Sequence, residues 1–382
     1  MEEKQVLLIP GPTPVPPSLL LSGARPMVNH RGPEFAKLIG ECTEALKQVF
    51  QTRHDVFILT GSGTGGLEAA VVNLLSPGDQ VLSVSIGVFG DRFAQIAEAF
   101  GAAVEKLDFE MGQAADPARI RERLSADTDR QIKAVLVTQN ETSTGVMNDL
   151  AAIAPLVRAH GALCVVDGIS SLLAMDCQMD AWGIDVVIAG SQKAFMIPPG
   201  LCFAAVNDRA WAAMAKAKMP RFYWDFGKAK QYLATGQTPW TPALPQIWQL
   251  GDALKRILQE GLPGCFARHA RLARMTRAGV QALDLKLLAD PAHASPAVTA
   301  VWGPEGLPTS DLRRRLRDRF GVVLAGGQGK IRDQIFRIGH IGWVNETDLL
   351  AALSALGAVL AEAGLAVAPG AGVSAAARAA GE

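Results

Sequence analysis

The stretch that decides the fold is VFILTGSGTGGLE, residues 56–68. An apolar run at its start is typical of a buried strand, a glycine-rich turn follows, and the residues from Leu67 onward have helical periodicity. Gly61, Gly63 and Gly66 match the spacing G-x-G-x-x-G, which occurs in turns that approach phosphate groups closely. The stretch therefore predicts a strand–turn–helix unit, and it raises the question of which phosphate, if any, the turn binds.

A dinucleotide site would need a second feature, an acidic residue about 20 positions further on that binds the ribose. The acid available is Asp79, but it lies in the turn PGDQ before the next predicted strand rather than at the end of that strand. A turn that opens a helix still offers free N–H groups and a positive dipole end, which suit one phosphate monoester. Ser62 and Thr64 would add hydroxyl donors, although a tight turn without a ligand fits these residues equally well.

Composition limits the possible partners and compartments. The chain has 382 residues, and 37 Lys and Arg residues balance 37 Asp and Glu residues, which disfavours nucleic acid or an anionic membrane as a partner. The first residues show no basic region before a long apolar stretch, and no run of about 18 apolar residues occurs, so we expect neither a secretory signal nor a transmembrane helix. Five scattered cysteines form no metal-binding pattern, and we expect a cytoplasmic protein.

Strand-like and helical runs alternate as far as residue 206. This alternation predicts an α/β fold with a mostly parallel, seven-stranded sheet covered by helices. After a long helical stretch, strands at Ala297–Trp302 and Ile335–Ile341 and a closing helix predict a small C-terminal α/β domain. The predicted organisation is an N-terminal arm (1–20), a large domain (21–255), a small domain (256–365) and a disordered Ala/Gly-rich tail (366–382).

Two further stretches place chemistry at the edge of the predicted sheet. In LCVVDGISS, residues 163–171, an apolar strand ends in Asp167, and in DVVIAGSQKAFMIPPG, residues 185–200, another ends just before Lys193. Ligands of parallel sheets bind at this carboxyl edge, and a lysine held there away from water becomes a nucleophilic amine. Taken alone, each residue has a more ordinary interpretation, a snorkelling surface lysine or a helix-capping acid.

Together the three stretches describe one cofactor, pyridoxal phosphate. It needs a lysine for a Schiff base, an acid that keeps its pyridine nitrogen protonated, and a cradle for its phosphate. Lys193, Asp167 and the turn at residues 62–66 would supply these parts from three strand ends.

The sequence also resembles a known family, the class V (fold-type I) aminotransferases that include the alanine–glyoxylate and serine–glyoxylate enzymes. The resemblance covers about residues 8–365 and rests on an ordered set of motifs: PGPTPVP, NHRGPEF, TGSGTGGLEAA, PGDQVL, GVFGDRF, ETSTGV, VVDGISS, GSQKAFMIPPG, TPWTPA, AGGQGK and FRIGHIG. No single motif is specific, but the ordered set is. The resemblance implies a pyridoxal-phosphate-dependent aminotransferase that moves the amino group of alanine or serine to glyoxylate or another small 2-oxo acid.

The resemblance also implies roles for single residues. Lys193 would form the Schiff base and move a proton, and Asp167 would pair with the pyridine nitrogen. Thr142, in ETSTG, would lie beside the phenolic oxygen, and Phe89 would stack on the ring where the family often has tryptophan. The phosphate would be held by Ser62, Gly63, Thr64 and Gln192.

The remaining implied residues concern the partner subunit and the substrate. Thr241, with help from Thr238, would reach the phosphate of the neighbouring subunit, so that a homodimer shares its active sites. Arg337 would bind the substrate carboxylate as a planar, bidentate donor, and Gly11 would contact the substrate through its backbone. No role follows for His30, Arg31 or His340.

Three alternatives remain after these assignments. A 2-aminoethylphosphonate or ureidoglycine transaminase would share Lys193 and Asp167 and differ in the lining of its pocket. A non-catalytic partner subunit is a different class of function. It stays open because bacterial relatives were once labelled as a hydrogenase subunit. A cysteine desulfurase is disfavoured, because no cysteine follows Cys265 to act as the mobile nucleophile.

Overall fold

The computed structural model of the chain describes residues 5–381. Its larger sheet has seven strands in the order β2-β10-β9-β8-β5-β3-β4, and only β10 runs against the other six. The predicted α/β class with a mostly parallel, seven-stranded sheet is therefore confirmed. The strands are β1 (Val6–Leu8), β2 (Asp55–Thr60), β3 (Gln80–Ser85), β4 (Ala103–Asp108), β5 (Ile132–Thr138), β6 (Asn140–Glu141), β7 (Val146–Met147), β8 (Leu163–Asp167), β9 (Val186–Gly190), β10 (Leu201–Val206), β11 (Val298–Trp302), β12 (Val322–Gly326) and β13 (Ile335–Gly339).

Helices cover both faces of this sheet. The α-helices are α1 (Pro17–Ser22), α2 (Pro33–Val49), α3 (Gly63–Leu74), α4 (Val88–Ala99), α5 (Pro117–Ala126), α6 (Leu150–His160), α7 (Met179–Trp182), α8 (Asp208–Met214), α9 (Phe226–Leu233), α10 (Leu244–Glu260), α11 (Leu262–Gln281), α12 (Thr309–Phe320), α13 (Glu346–Glu362) and α14 (Ala371–Ala379). Side chains alternate between the two faces, so Val165 packs into one apolar layer and Val166 into the other. Both β8 and β9 are buried along their whole length, which explains their unbroken apolar sequences.

A second, four-stranded sheet has the order β1-β12-β13-β11. Its edge strand β1 comes from the N-terminal arm and pairs in parallel with β12, with Val6 opposite Val322. Between β1 and α1 the chain therefore passes from the small sheet to the large one, where the Thr13 N–H donates to the Gln192 carbonyl after β9. The sequence patterns did not reveal β12, and Gly261 divides the long predicted helical stretch into α10 and α11.

The predicted disorder of the tail needs correction. The prediction of disorder covered residues 366–382, of which Glu382 lies outside the described residues, and it is wrong for helix α14. That helix packs on α11, with Gly372 so near that an added Cβ would lie 3.0 Å from the Gly279 carbonyl oxygen. Ala376 and Ala379 on the same face are buried. The small residues are thus the means of close helix packing and not a sign of disorder.

Among residues 5–381, no helix is both long enough and apolar enough to cross a membrane. The same residues contain no group of three or more His, Cys, Asp or Glu side chains placed to hold a metal ion.

Candidate active site

A cavity opens at the carboxyl ends of β8 and β9, beside the N-termini of α3 and α4. This is the edge at which the parallel strands of an α/β sheet place their ligands. Eight residues singled out from the sequence line it: Ser62, Gly63, Thr64, Phe89, Thr142, Asp167, Gln192 and Lys193. The fold thus brings together side chains that are up to 131 positions apart in the chain, from Ser62 to Lys193 (193 − 62).

The glycine turn forms one wall of the cavity. Its glycines lie so close to neighbouring side chains that a Cβ would not fit. A Cβ on Gly63 would lie 2.5 Å from Cδ1 of Ile169, and one on Gly66 would lie 2.6 Å from Cγ2 of Ile188. The first N–H to bond within helix α3 is that of Gly66, which donates to the Ser62 carbonyl at 3.2 Å. The preceding N–H groups are therefore free to donate to a ligand. The Ser62 hydroxyl does not cap the helix and is free as well.

A buried amide supports the same interpretation of this wall. The side-chain oxygen of Gln192 is buried and has no hydrogen-bond partner among residues 5–381. Buried polar atoms are nearly always paired, so an unpaired one beside a cavity points to a ligand that completes it. The free N–H groups and two hydroxyls make a donor set that suits the phosphate of a cofactor, and the Nε2 group of Gln192 can add a donor, whereas its unpaired oxygen accepts and would need a donor from the ligand.

Lys193 lies between the large sheet and the N-terminal segment. Its Nζ donates a hydrogen bond to the Pro10 carbonyl at 2.6 Å, and the Thr13 N–H donates to the Gln192 carbonyl at 3.0 Å. Burial lowers the pKa of Lys193 to about 8, an effect that the Asp167 charge opposes and Arg337 reinforces. A snorkelling surface lysine is thereby excluded, and the amine is more often uncharged near neutral pH than an exposed lysine.

Gly11 packs directly against the side chain of Lys193. It has φ +138°, which favours glycine, and a Cβ there would lie 2.5 Å from Nζ of Lys193. The structure therefore sets the Gly11 backbone against the amine, and its contact with the substrate stays a prediction.

Asp167 ends strand β8 and is buried. Its carboxylate accepts a hydrogen bond from the Ile169 N–H at 2.9 Å. Burial, aided by the charge of Glu141, raises the pKa of Asp167 to about 7 against the lowering effects of the Ile169 hydrogen bond and of Lys193 and Arg92. A buried acid with a raised pKa gains from a protonated base placed beside it, and the cavity is where such a base would lie.

Phe89 lies in the first turn of α4, and its ring lines the cavity. The guanidinium of Arg92, one turn further along, lies 4.7 Å from the centre of that ring. The Phe89 N–H donates to Glu141 at 3.0 Å. Glu141 thus fixes the backbone of Phe89, and Arg92 contacts its ring.

Arg337 does not line the cavity itself but contacts one of its lining residues, Thr142, from the small sheet. On β13, it donates from Nε to the Gly326 carbonyl at 2.8 Å and from Nη1 to the Thr142 carbonyl at 2.7 Å. A weaker bond at 3.3 Å links Nη1 to Gln328. Burial lowers the pKa of Arg337 to about 10, opposed by the charge of Glu141. Its Nη2 makes no hydrogen bond to any described residue, so one end of the guanidinium remains for a ligand.

The remaining predicted residues lie away from this cavity. Thr238 is buried and donates to the Trp240 carbonyl at 2.7 Å, while its own carbonyl accepts from Arg31 at 2.6 Å. Thr241 is exposed. Both roles at a neighbouring subunit therefore stay predictions. His340 is buried inside the small domain, bonded to Thr299 and to the Pro296 carbonyl, and has no access to the cavity.

Sequence reasoning missed several residues of the site. Arg92, Asn140 and Ser170 line the cavity, and Glu141 lies directly behind it. Asn140 Nδ2 donates to Ser170 Oγ at 2.9 Å, whereas its Oδ1 is buried and unpaired among the described residues. Two signals could have found them. Arg92 follows Phe89 by one helical turn, and Asn140 and Glu141 come just after the end of β5.

The fold and the cavity define an enzyme site in which an amine of lowered pKa faces a buried acid and an anion cradle. Comparison with known proteins identifies the family. Residues 20–331 match the family model described as aminotransferase class-V. The chain belongs to the class V aminotransferase family, as its sequence motifs predicted.

Three known proteins illustrate the similarity. The soluble hydrogenase 42 kDa subunit of Anabaena cylindrica is 46% identical, with 99% of each chain covered. The serine–glyoxylate aminotransferase of Methylorubrum extorquens is 36% identical over 97% of this chain and 94% of that protein. The crystal structure of ureidoglycine–glyoxylate aminotransferase from Bacillus subtilis superposes with a TM-score of 0.94 at 29% identity, covering 100% of this chain and 99% of that one.

Proposed function

We propose that this protein is a pyridoxal-phosphate-dependent aminotransferase that moves the amino group of alanine or serine to glyoxylate or another small 2-oxo acid. The observation that carries the proposal is that Lys193, Asp167 and the turn at Ser62–Thr64, from three separate strand ends, line one cavity. Glyoxylate as acceptor is supported by the names of the Methylorubrum and Bacillus relatives. A half-reaction screen tests the donor, because only a true donor changes the absorbance of the bound cofactor.

Each part of the cavity has a task in this proposal. The free N–H groups of the glycine turn, Ser62, Thr64 and Gln192 hold the phosphate, and Phe89 and Ile169 enclose the ring. The cofactor, when bound, supplies the electron sink that makes the substrate α-carbon acidic. Asp167 holds a proton on the ring nitrogen, and Lys193 provides the covalent link and carries the α-proton.

Arg337 is the proposed carboxylate site. Three hydrogen bonds fix its Nε and Nη1, so the free Nη2 edge is held in place before substrate arrives. Pre-ordering of this kind reduces the entropy lost on binding. Because donor and acceptor present the same carboxylate, one arginine serves both half-reactions.

Replacing Arg337 with lysine should weaken alanine and glyoxylate by roughly tenfold or more. The substitution keeps the positive charge but removes the guanidinium whose free Nη2 is held in place for the carboxylate. A charge-assisted hydrogen bond is worth about 1.5–3 kcal/mol, or about tenfold or more in affinity. Affinity for the cofactor should not change, since Arg337 is not part of the phosphate cradle. Steady-state Michaelis constants for both substrates and a cofactor titration measure the two effects.

The matched control is Arg332→Lys, an exposed arginine outside the cavity that should leave both constants unchanged. An unchanged Michaelis constant for alanine in Arg337→Lys would remove Arg337 from the substrate site. The same assay tests the alternative activity of a phosphonate transaminase. If the wild type used 2-aminoethylphosphonate faster than alanine or serine, the donor assignment would be overturned.

We also propose that the active enzyme is a cytoplasmic homodimer with shared sites. Thr241 is exposed and lies outside the cavity of its own chain, which leaves it available to a second copy. Exposed apolar side chains such as Leu21 and Phe222 offer surface for that contact. The five cysteines are free and buried, which suits a reducing compartment.

Mixing a Lys193→Ala chain with a Thr241→Ala chain should restore activity at limiting cofactor. If Thr241 serves the other subunit, each mixed dimer has one site with both substitutions and one intact site. Activity of the refolded mixture, compared with each variant refolded alone, measures the effect. No gain on mixing would show that each subunit uses its own Thr241.

A non-catalytic partner subunit is the second candidate, because the Anabaena relative is named as a subunit of a soluble hydrogenase. The two functions differ in what the purified chain does without partners. An aminotransferase changes its cofactor spectrum when alanine or serine is added, and a non-catalytic subunit does not.

A further inference from the structure

Glu141 is a carboxylate that the proposed function does not use. Its side chain is fully buried, and it lies directly behind the cavity, between the loop after β5 and the start of helix α4. Burying a carboxylate is costly unless hydrogen bonds compensate for lost water. A fully buried glutamate therefore needs an explanation.

The explanation lies in the start of α4. Helices begin with free N–H groups, and here the N-cap residue is Gly87, which has no side chain to receive them. Glu141 and Ser143 take over that task. Oε2 of Glu141 accepts from the N–H groups of Phe89 at 3.0 Å and Gly90 at 3.1 Å. Ser143 Oγ accepts from the Val88 N–H at 3.0 Å.

The other oxygen of the carboxylate closes the loop that carries Thr142. Oε1 accepts from the Ser143 N–H at 3.0 Å and from the Ser143 hydroxyl at 2.6 Å. The Thr142 carbonyl, between these two residues, accepts the bond from Arg337. One carboxylate therefore joins the helix start that carries the ring of Phe89 to the loop that carries Thr142.

Gly87 shows how closely the two segments fit. A Cβ at this position would lie 2.5 Å from Oγ of Ser143 and 2.6 Å from Cγ of Glu141. The absence of a capping side chain in α4 is thus matched by a capping side chain supplied from another strand end. Glu141 acts only as an acceptor here, and its negative charge faces the positive end of the helix dipole.

We propose that Glu141 is a positioning residue that holds the start of helix α4, and with it the ring of Phe89, against the cofactor. The inference rests on the proposed function, because it needs a cofactor ring that stacks on Phe89. Glu141 does not line the cavity itself. Its effect on the site runs through the Phe89 and Gly90 N–H groups and through Ser143.

The test is Glu141→Gln combined with Phe89→Ala in a double-mutant cycle. Glutamine has nearly the same shape, but only its amide oxygen can accept. Its NH2 group would face donors that a carboxylate oxygen now accepts from. We expect the apparent Kd for pyridoxal phosphate to rise about tenfold in Glu141→Gln. In the Phe89→Ala background the same substitution should change the apparent Kd by less than about twofold, because the ring it positions is gone.

This coupling separates positioning from a general loss of stability. A purely structural role would lower the melting temperature and raise the apparent Kd equally in both backgrounds, and that result would overturn the proposal. An unchanged Kd in Glu141→Gln alone would also overturn it. Glu122→Gln, an exposed glutamate on α5, is the matched control and should change neither quantity.

Ser143→Ala gives a second variant should Glu141→Gln fail to fold. It keeps the carboxylate but removes the hydroxyl between Glu141 and the Val88 N–H. The apparent Kd should again rise, by about threefold, and only when Phe89 is present. Failure of the wild-type chain to bind pyridoxal phosphate would instead overturn the proposed function, which keeps the two failures distinct.

Discussion

Replacing Lys193 with alanine should abolish aminotransferase turnover while the chain remains folded. Among residues 5–381 the amine makes a single hydrogen bond, to the Pro10 carbonyl. Removing a buried amine also removes the cost of its burial, which is what lowers its pKa to about 8. A positioned acid–base group contributes on the order of 10²–10⁴-fold to rate, and the covalent link to the cofactor is lost as well, so we expect no measurable turnover.

Two measurements check this prediction. Borohydride reduction of the wild-type holoenzyme followed by peptide mapping should place the modified lysine at 193, and far-ultraviolet circular dichroism of the variant should match the wild type. Lys37→Ala is the matched control, because that lysine is largely exposed and makes only a surface ion pair at 3.9 Å. Label on a lysine other than Lys193, or normal turnover in the variant, would refute the assignment.

The parts of the site that could be predicted are those fixed by strand ends. Asp167 and Lys193 each follow a short apolar run, and β8 and β9 are parallel neighbours whose carboxyl ends meet at one edge. The glycine turn was predictable for the same reason, since its residues lie between β2 and α3. In each case local pattern and sheet direction are enough to place the side chain.

The parts that were missed depend on contacts between distant segments. Helix α4 has no capping side chain of its own, and nothing in its sequence indicates that Glu141 and Ser143 supply one. Arg92 points into the cavity only because of the way α4 packs on the sheet. Helix α14 was missed because its buried face consists of small residues, Gly372, Ala376 and Ala379, and an Ala/Gly-rich composition is also what a disordered tail shows.

Replacing Asp167 with asparagine should leave the cofactor bound but lower turnover by on the order of 10²–10³-fold, the usual cost of removing one preorganised electrostatic group. The amide has nearly the same shape, so the cradle at the glycine turn and Gln192 still holds the phosphate. What is lost is the charge. The buried carboxylate has a pKa raised to about 7, so a protonated ring nitrogen beside it would favour the ionised form, and an amide cannot keep that proton in place.

The decisive measurement separates binding from proton transfer. Cofactor retention after dialysis should match the wild type, whereas exchange of the α-proton of alanine with deuterated solvent should slow by the same factor as turnover. Asp129→Asn, an exposed aspartate that does not line the cavity, is the control and should alter neither. Wild-type exchange in Asp167→Asn would show that the carboxylate is not the partner of the ring nitrogen. Loss of cofactor from the variant would show that Asp167 is needed for binding, which would contradict the prediction that the cofactor stays bound.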